Sequence, residues 1–123
     1  MIKMLIVKFN DMDVELLKGE YTNERFAVTM IDPKTHEQLT NLTVNIPEAM
    51  FFGETLGDSN CYEALINHID GFDYISLLNW LDEINITDPE AIVGEIKSGF
   101  NSYKGVKFKN DVVKQMRRID EVF

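Results

Sequence analysis

Phe26, Val28 and Met30 occupy alternate positions, Leu42, Val44 and Ile46 do the same, and the turn signal Asp32-Pro33-Lys34-Thr35 stands between the two runs. A period of two belongs to a strand with one buried face, and a turn between two such strands makes an antiparallel hairpin. Proline at the second position of the turn has its φ already set for that site. His36 then falls where hairpin loops of three to five residues often need a left-handed residue, a conformation His tolerates better than most side chains. It is read as a turn residue. Upstream, residues 2–9 are apolar and β-rich, Asn10-Asp11 offers a turn, and residues 12–17 follow as a second strand. Lys18-Gly19-Glu20 reads as a break. Residues 25–31 and 38–46 complete a four-stranded antiparallel meander, which Pro47 ends.

The second half has a helical period. Asn60 with Glu63 three residues on resembles a capping box, and Tyr62, Leu65, Ile66 and Ile69 follow at helical spacing up to Gly71. Asp73 caps a second helix with the stripe Tyr74, Leu77, Leu78, Leu81 and Ile84. Asp88-Pro89-Glu90 is a third start signal, although residues 91–96 read equally well as a strand. Residues 100–108 read as a strand or hairpin. Asn110 starts a last helix with Val112, Val113, Met116 and Ile119 inward, and Lys114, Arg117 and Arg118 near its C-terminus, where the helix dipole favours cations. The expected fold is a single α+β domain over residues 1–123: an N-terminal antiparallel β-meander packed against two middle helices and a C-terminal helix.

Apolar residues make up 45% of the 123, enough for an independent core, and no apolar run approaches the roughly 18 residues of a membrane span. The opening residues lack the pattern of a signal peptide, so a cytoplasmic location is expected. The single cysteine, Cys61, excludes an internal disulfide framework. On one helix Cys61 and His68 would share a face but stand roughly 10 Å apart, too far to share a metal or a proton. Cys61 is read as a packing or surface residue and His68 as a favourable charge near a helix end. Gly57-Asp58-Ser59-Asn60 and Asp70-Gly71-Phe72-Asp73 lack calcium-loop spacing. No phosphate loop, dinucleotide fingerprint, nucleophile elbow or zinc spacing occurs. The expectation is a non-enzyme without cofactor or metal.

Charge is distributed unevenly. Residues 35–96 contain no Lys or Arg and twelve Asp or Glu, whereas residues 97–123 contain seven basic and three acidic residues, within a net charge of -9. The acidic stretch disfavours nucleic acid and suits a basic protein surface. Glu63, Asp70, Asp73, Asp82, Glu83, Asp88 and Glu90 are the candidate partner-binding residues, with Glu48, Glu54, Asp58 and Glu95 in the same stretch. They are read as an acidic face that imitates nucleic-acid phosphates in the groove of another protein; solubility alone is the plainer explanation. The alternative is a nucleic-acid-binding module using Lys107, Lys109, Lys114, Arg117 and Arg118, together with Lys97 and Lys104, with Phe100 and Tyr103 as a stacking platform. Pairing of this basic segment with the acidic middle, within the fold or in a homodimer, would instead neutralise it.

Gly19-Glu20-Tyr21, Leu42-Thr43-Val44-Asn45-Ile46-Pro47 and Ser98-Gly99-Phe100 carry a resemblance. In these motifs the chain resembles an uncharacterised family of small acidic proteins encoded on plasmids and conjugative elements of gram-positive bacteria. The similarity covers about a third of the chain. His36 departs from the glycine frequent in that turn, and the basic C-terminal segment is an extension. The resemblance carries over no activity but implies a mobile-element setting, where small acidic proteins often block host defence nucleases. The function expected is inhibition of a nucleic-acid-handling host enzyme of the CRISPR or restriction type, with a structural or accessory homo-oligomer as the alternative.

Overall fold

Asn10 and Asp11 both adopt positive φ, 51° and 65°, and together form the two-residue loop between β1 (Leu5–Phe9) and β2 (Met12–Glu20). Two left-handed residues give the primed turn whose twist matches that of paired strands, and Asn and Asp bear that conformation at low cost. A computed structural model supplies this geometry and describes residues 4–21, 25–46, 62–89 and 94–123. β3 (Phe26–Ile31) and β4 (Gln38–Asn41) continue the antiparallel meander in the order β1-β2-β3-β4. His36 sits in the β3–β4 loop at φ 63°, and Asp32 accepts the backbone N–H groups of Lys34 and Thr35 there. The α+β class and the meander are as the sequence predicts.

Four expectations change. β2 does not break at Lys18-Gly19-Glu20: it pairs with β3 as far as Glu20↔Phe26. Gly19 marks a close approach, because a Cβ there would lie 2.9 Å from Ile119 Cγ2. The strand expected over residues 38–46 is two strands in two sheets. At Leu42 the chain leaves β4, and β5 (Thr43–Val44) opens a second sheet ordered β5-β6-β8-β7. The Leu42 N–H still reaches Val28 O at 3.0 Å, while its carbonyl accepts the Asn67 N–H at 2.9 Å. Leu42 therefore joins the main core, whereas Val44 and Ile46 pack against Leu65 and Ile96.

The helix expected after Asn60 is β6 (Glu63–Ile66), buried at all four positions between β5 and β8. Asn60 itself lies outside the described residues, and Tyr62 has φ 57°, incompatible with a right-handed helix. A short apolar run buried on both faces mimics helical spacing, and here its place in mid-sheet decides. Among the described residues one middle helix remains, α1 (Tyr74–Glu83), capped by Asp73, which accepts the Ser76 N–H at 3.0 Å. Asn85, at φ 62°, ends it. The third helix start, at Asp88-Pro89-Glu90, leads into residues 90–93, which lie outside the described residues; the Asp88 N–H itself bonds Lys107 O at 2.9 Å. Residues 100–108 supply one strand and not a hairpin of their own: β8 (Asn101–Lys107) pairs with β7 (Gly94–Ser98), with Gly99 at φ 62° in the two-residue turn between them.

The expected C-terminal helix is interrupted. A single turn α2 (Asn110–Val113) is followed by β9 (Arg117–Arg118), parallel to β2 at Leu17 and Lys18, and by α3 (Ile119–Val122). Val112, Val113 and Met116 face the core as predicted. The interruption has a cause in the sheet. The Arg117 guanidinium donates two bonds of 2.7 Å to Glu15, whose side chain is wholly buried, from a segment extended against β2. A carboxylate buried without a counter-charge is heavily penalised, so this pair outweighs the few hydrogen bonds of an uninterrupted short helix. The carboxylate also pushes the Arg117 guanidinium above its ordinary value.

The pair can be tested by double substitution. Arg117→Met should lower unfolding stability by about 3 kcal/mol, the low end for breaking a buried pair because Arg117 keeps some access to water. Combining it with Glu15→Met should recover most of that loss in urea titrations. Failure of the double variant to recover would show that the isolated charge is not the source of the loss.

Candidate functional site

On α1 the residues Tyr74, Leu77, Leu78, Leu81 and Ile84 turn inward, so Ile75, Ser76, Asn79, Asp82 and Glu83 are left facing water. The acidic set falls on this helix and its flanks, but not as one face. Asp70 and Asp73 lie at the N-terminal end and Asp82 and Glu83 in the last turn. A rise of about 1.5 Å per residue places the two groups about 14 Å apart. Four carboxylates over that length match the charge count of one nucleic-acid strand at about 3.4 Å per phosphate, yet they are gathered in pairs. Such spacing suits two discrete cationic sites better than a continuous phosphate-binding groove.

The remaining members divide. Glu63 is 8% exposed at the start of β6 and offers no open carboxylate to a partner, which corrects its place in the set. Asp88 is half-buried beside β8. Glu90, with Glu48, Glu54, Asp58 and Cys61, lies outside the described residues. Glu95 is exposed on β7, in register with Lys104 of β8.

The two ends of α1 differ electrostatically. Asp73 caps the positive end of the helix dipole and is stabilised there. Asp82 and Glu83 occupy the negative end, where no basic residue stands in the last turn. Asp82 accepts a long contact of 3.5 Å from the Thr87 hydroxyl. Asp70, Asp73, Asp82 and Glu83 enter none of the three ion pairs among the described residues, which are Lys8–Asp13, Glu15–Arg117 and Arg118–Asp120.

The basic segment is largely engaged inside the fold. Arg117 is held by Glu15, Arg118 contacts Asp120 at 3.3 Å, and the Lys109 ammonium donates to Asn85 Oδ1. Lys107 is half-buried, whereas Lys97, Lys104 and Lys114 are exposed. The neutralisation raised above occurs through the N-terminal strand and through local contacts, not through carboxylates of α1. Phe100 and Tyr103 do not form a platform: Phe100 stands fully exposed in the β7–β8 turn, whereas Tyr103 packs edge-on to His68 at 5.0 Å.

His68 follows β6 instead of ending a helix. Its ring stacks on Tyr74 at 4.0 Å, and Nε2 donates to Ser102 O at 2.7 Å. The Tyr74 hydroxyl donates to Ile66 O at 2.7 Å and accepts the Lys104 N–H at 2.8 Å, tying β6, α1 and β8 together. Burial pushes the Tyr74 phenol up to about 12, against the opposing Lys104 N–H, and nearby Glu95 adds to the rise.

Sequence reasoning missed a hollow between the β1–β2 turn, β4 and the loop before α1. Phe9, Met12, Met30, Leu39, Ile69 and Phe72 line it, with Asn10, Thr40 and Asp70. One signal was available: Phe72 lies between a turn glycine and a helix cap, an unusual place for a large aromatic residue. Among the described residues no three His, Cys, Asp or Glu side chains group to hold a metal, and no helix is long and apolar enough to cross a membrane. Comparison with protein-family models, with curated proteins and with solved structures gives no match.

Tyr74 sets an alkaline limit on the fold. Its folded pKa lies above the unfolded value, so its contribution is intact below pH 10 and lost as pH rises toward 12. Melting temperatures should fall across that interval. Tyr74→Phe should lower the melting temperature at neutral pH, by leaving Ile66 O and the Lys104 N–H unpaired, and should make the alkaline fall shallower.

Proposed function

We propose that the chain is a non-enzymatic protein-binding inhibitor that docks on a basic, nucleic-acid-handling host enzyme through the acidic ends of α1. The observation that carries this reading is the placement of Asp82 and Glu83. Both are exposed carboxylates at the negative end of a helix dipole, with no basic residue in that turn. For stability alone a cation is the better choice at that position. A Lys or Arg supplied by a partner would relieve the repulsion, so the arrangement favours complex formation over the isolated fold. Asp70 and Asp73 supply a second negative site at the other end of the same rigid element. The engagement of Lys109, Arg117 and Arg118 within the fold weighs against the nucleic-acid alternative.

The enzyme class proposed is a defence nuclease of the CRISPR or restriction type. Its Lys- and Arg-lined surface has the complementary sign, and the encounter would be steered and salt-dependent. The mobile-element resemblance points to the same class.

Expression of the chain in bacteria carrying a CRISPR or restriction system should raise the recovery of a targeted plasmid. Asp82→Lys combined with Glu83→Lys should abolish that protection while leaving the melting temperature unchanged or higher, because cations suit the end of the helix. Protection that survives the reversal would remove α1 as the contact. Absence of protection against every system tried would remove the inhibitor reading.

A further inference from the structure

The hollow beside the meander is built with care. Gly71, at φ 86°, turns the chain so that Phe72 packs against Phe9 with ring centroids 4.7 Å apart and the rings tilted, and Phe9 in turn meets the Trp80 ring at 4.8 Å. Trp80 is fixed by a 2.7 Å bond from its indole N–H to Lys8 O. The wall is thus braced from behind by α1 and β1. Its inner surface nevertheless remains open to water: Met12 is 42% exposed, Leu39 39% and Phe72 38%. Three large apolar side chains from three separate elements converge on one concave site and are left wet.

Size narrows what the site can take. Its volume of about 260 Å³ is below the roughly 300 Å³ at which small-molecule and cofactor pockets begin. It exceeds the roughly 150 Å³ that accommodates a benzene ring. One aromatic or branched aliphatic side chain fits, which is the size of an interface anchor. Two of the lining residues are methionines, whose flexible thioethers adapt to varied apolar shapes.

Charge narrows it further. Among the described residues, the single charged one lining the hollow is Asp70. Asp11 is exposed on the turn between the lining residues Asn10 and Met12, and Asp73 follows Phe72 by one residue. Lys8 is taken by Asp13 at 2.8 Å. The rim is therefore acidic around an apolar floor.

We infer that this hollow is the anchor site for a basic partner protein, receiving one apolar side chain flanked by Lys or Arg from an amphipathic segment of that partner. The inference rests on the proposed reading for the sign of the partner's charge, and it adds the place where affinity is generated. Carboxylates at water-exposed positions accelerate and orient encounter but contribute little to holding a complex, whereas a desolvated apolar anchor holds it. A segment with the helix-in-groove pattern, apolar on one face and basic on the other, would satisfy floor and rim together.

The test uses three synthetic helical peptides of about 15 residues: Leu/Lys amphipathic, Leu/Glu amphipathic, and a Ser/Lys peptide of the same charge without apolar residues. The full chain, labelled with ¹³C at methionine methyls, reports through Met12 and Met30 in the hollow, and through Met4 and Met116 elsewhere. The Leu/Lys peptide should shift Met12 and Met30 saturably, with Met4 and Met116 unmoved, and the other two peptides should not. Leu39→Gln should weaken that binding about tenfold with Met116 unchanged, which confirms an intact core. Asp111→Lys, an exposed charge reversal outside both the hollow and α1, should leave peptide binding within about twofold; peptide binding and plasmid protection are read separately, so failure of the α1 contact is distinguishable from failure of the anchor. No shift, equal shifts at Met4 or Met116, or equal binding of the Leu/Glu peptide would overturn the assignment. A concentration-dependent Met12 shift without peptide would assign the hollow to a second copy of the chain and overturn it as well.

Discussion

The ion pair between Glu15 and Arg117 joins residues 102 positions apart in the sequence and decides how both ends of the chain are used. Glu15 lies on the face of β2 opposite the main core, together with Leu17, and across the ladder on β3 lie Thr29 and Ile31. All four are buried, so the meander is covered on both faces at this point. A carboxylate there requires a cation, and the chain supplies it by laying Arg117 and Arg118 beside β2. The remainder of the C-terminus follows from that placement. Ile119 then lands on β2 so closely that a Cβ at position 19 would force its side chain to shift. The preceding helix is reduced to one turn, and Arg117 of the basic segment becomes part of the scaffold.

Local signals made part of this fold readable. Asn10-Asp11, Asp32-Pro33, Asp73 and the α1 stripe each act within a few residues of themselves, and each appears as expected. What the sequence hid were decisions made across the chain. The period of residues 42–46 continues that of a strand, but the partner changes from β3 to β6 at Leu42, and no residue in the run signals the change. Residues 62–69 satisfy helical spacing because both faces of β6 are buried, so apolar residues fall at adjacent positions that either period can claim. Gly19 reads as a strand breaker until Ile119 is placed against it.

Legibility at the candidate site follows the same division. The absence of Lys and Arg over residues 35–96 marked α1 as acidic, which needs composition alone. The separation into two ends, the burial of Glu63 and the hollow at Met12, Leu39 and Phe72 all depend on elements that meet only after folding. The lining residues are drawn from positions 9–12, 30, 39–40 and 69–72. A contiguous scan of the sequence would not assemble them.

These two features perform different physical tasks, and together they argue for a binding surface over mere solubility. Carboxylates spread for solubility need no particular helix end, and a chain under that pressure alone would gain nothing by placing two in the last turn of α1, where they oppose the helix dipole. Apolar side chains left wet without purpose would not be expected to converge from three elements around a braced concavity. An acidic field attracts a basic partner over a distance of about a Debye length, near 8 Å at physiological salt, and there its influence ends. Retention then depends on removing apolar surface from water at about 25 cal/mol per Å². The hollow lies at the Asp70–Asp73 end of α1, so a partner drawn to those carboxylates arrives where an apolar anchor can be seated. Asp82 and Glu83 lie about 14 Å further along the helix, and in the proposed reading they face a different part of the partner's surface from the anchored segment.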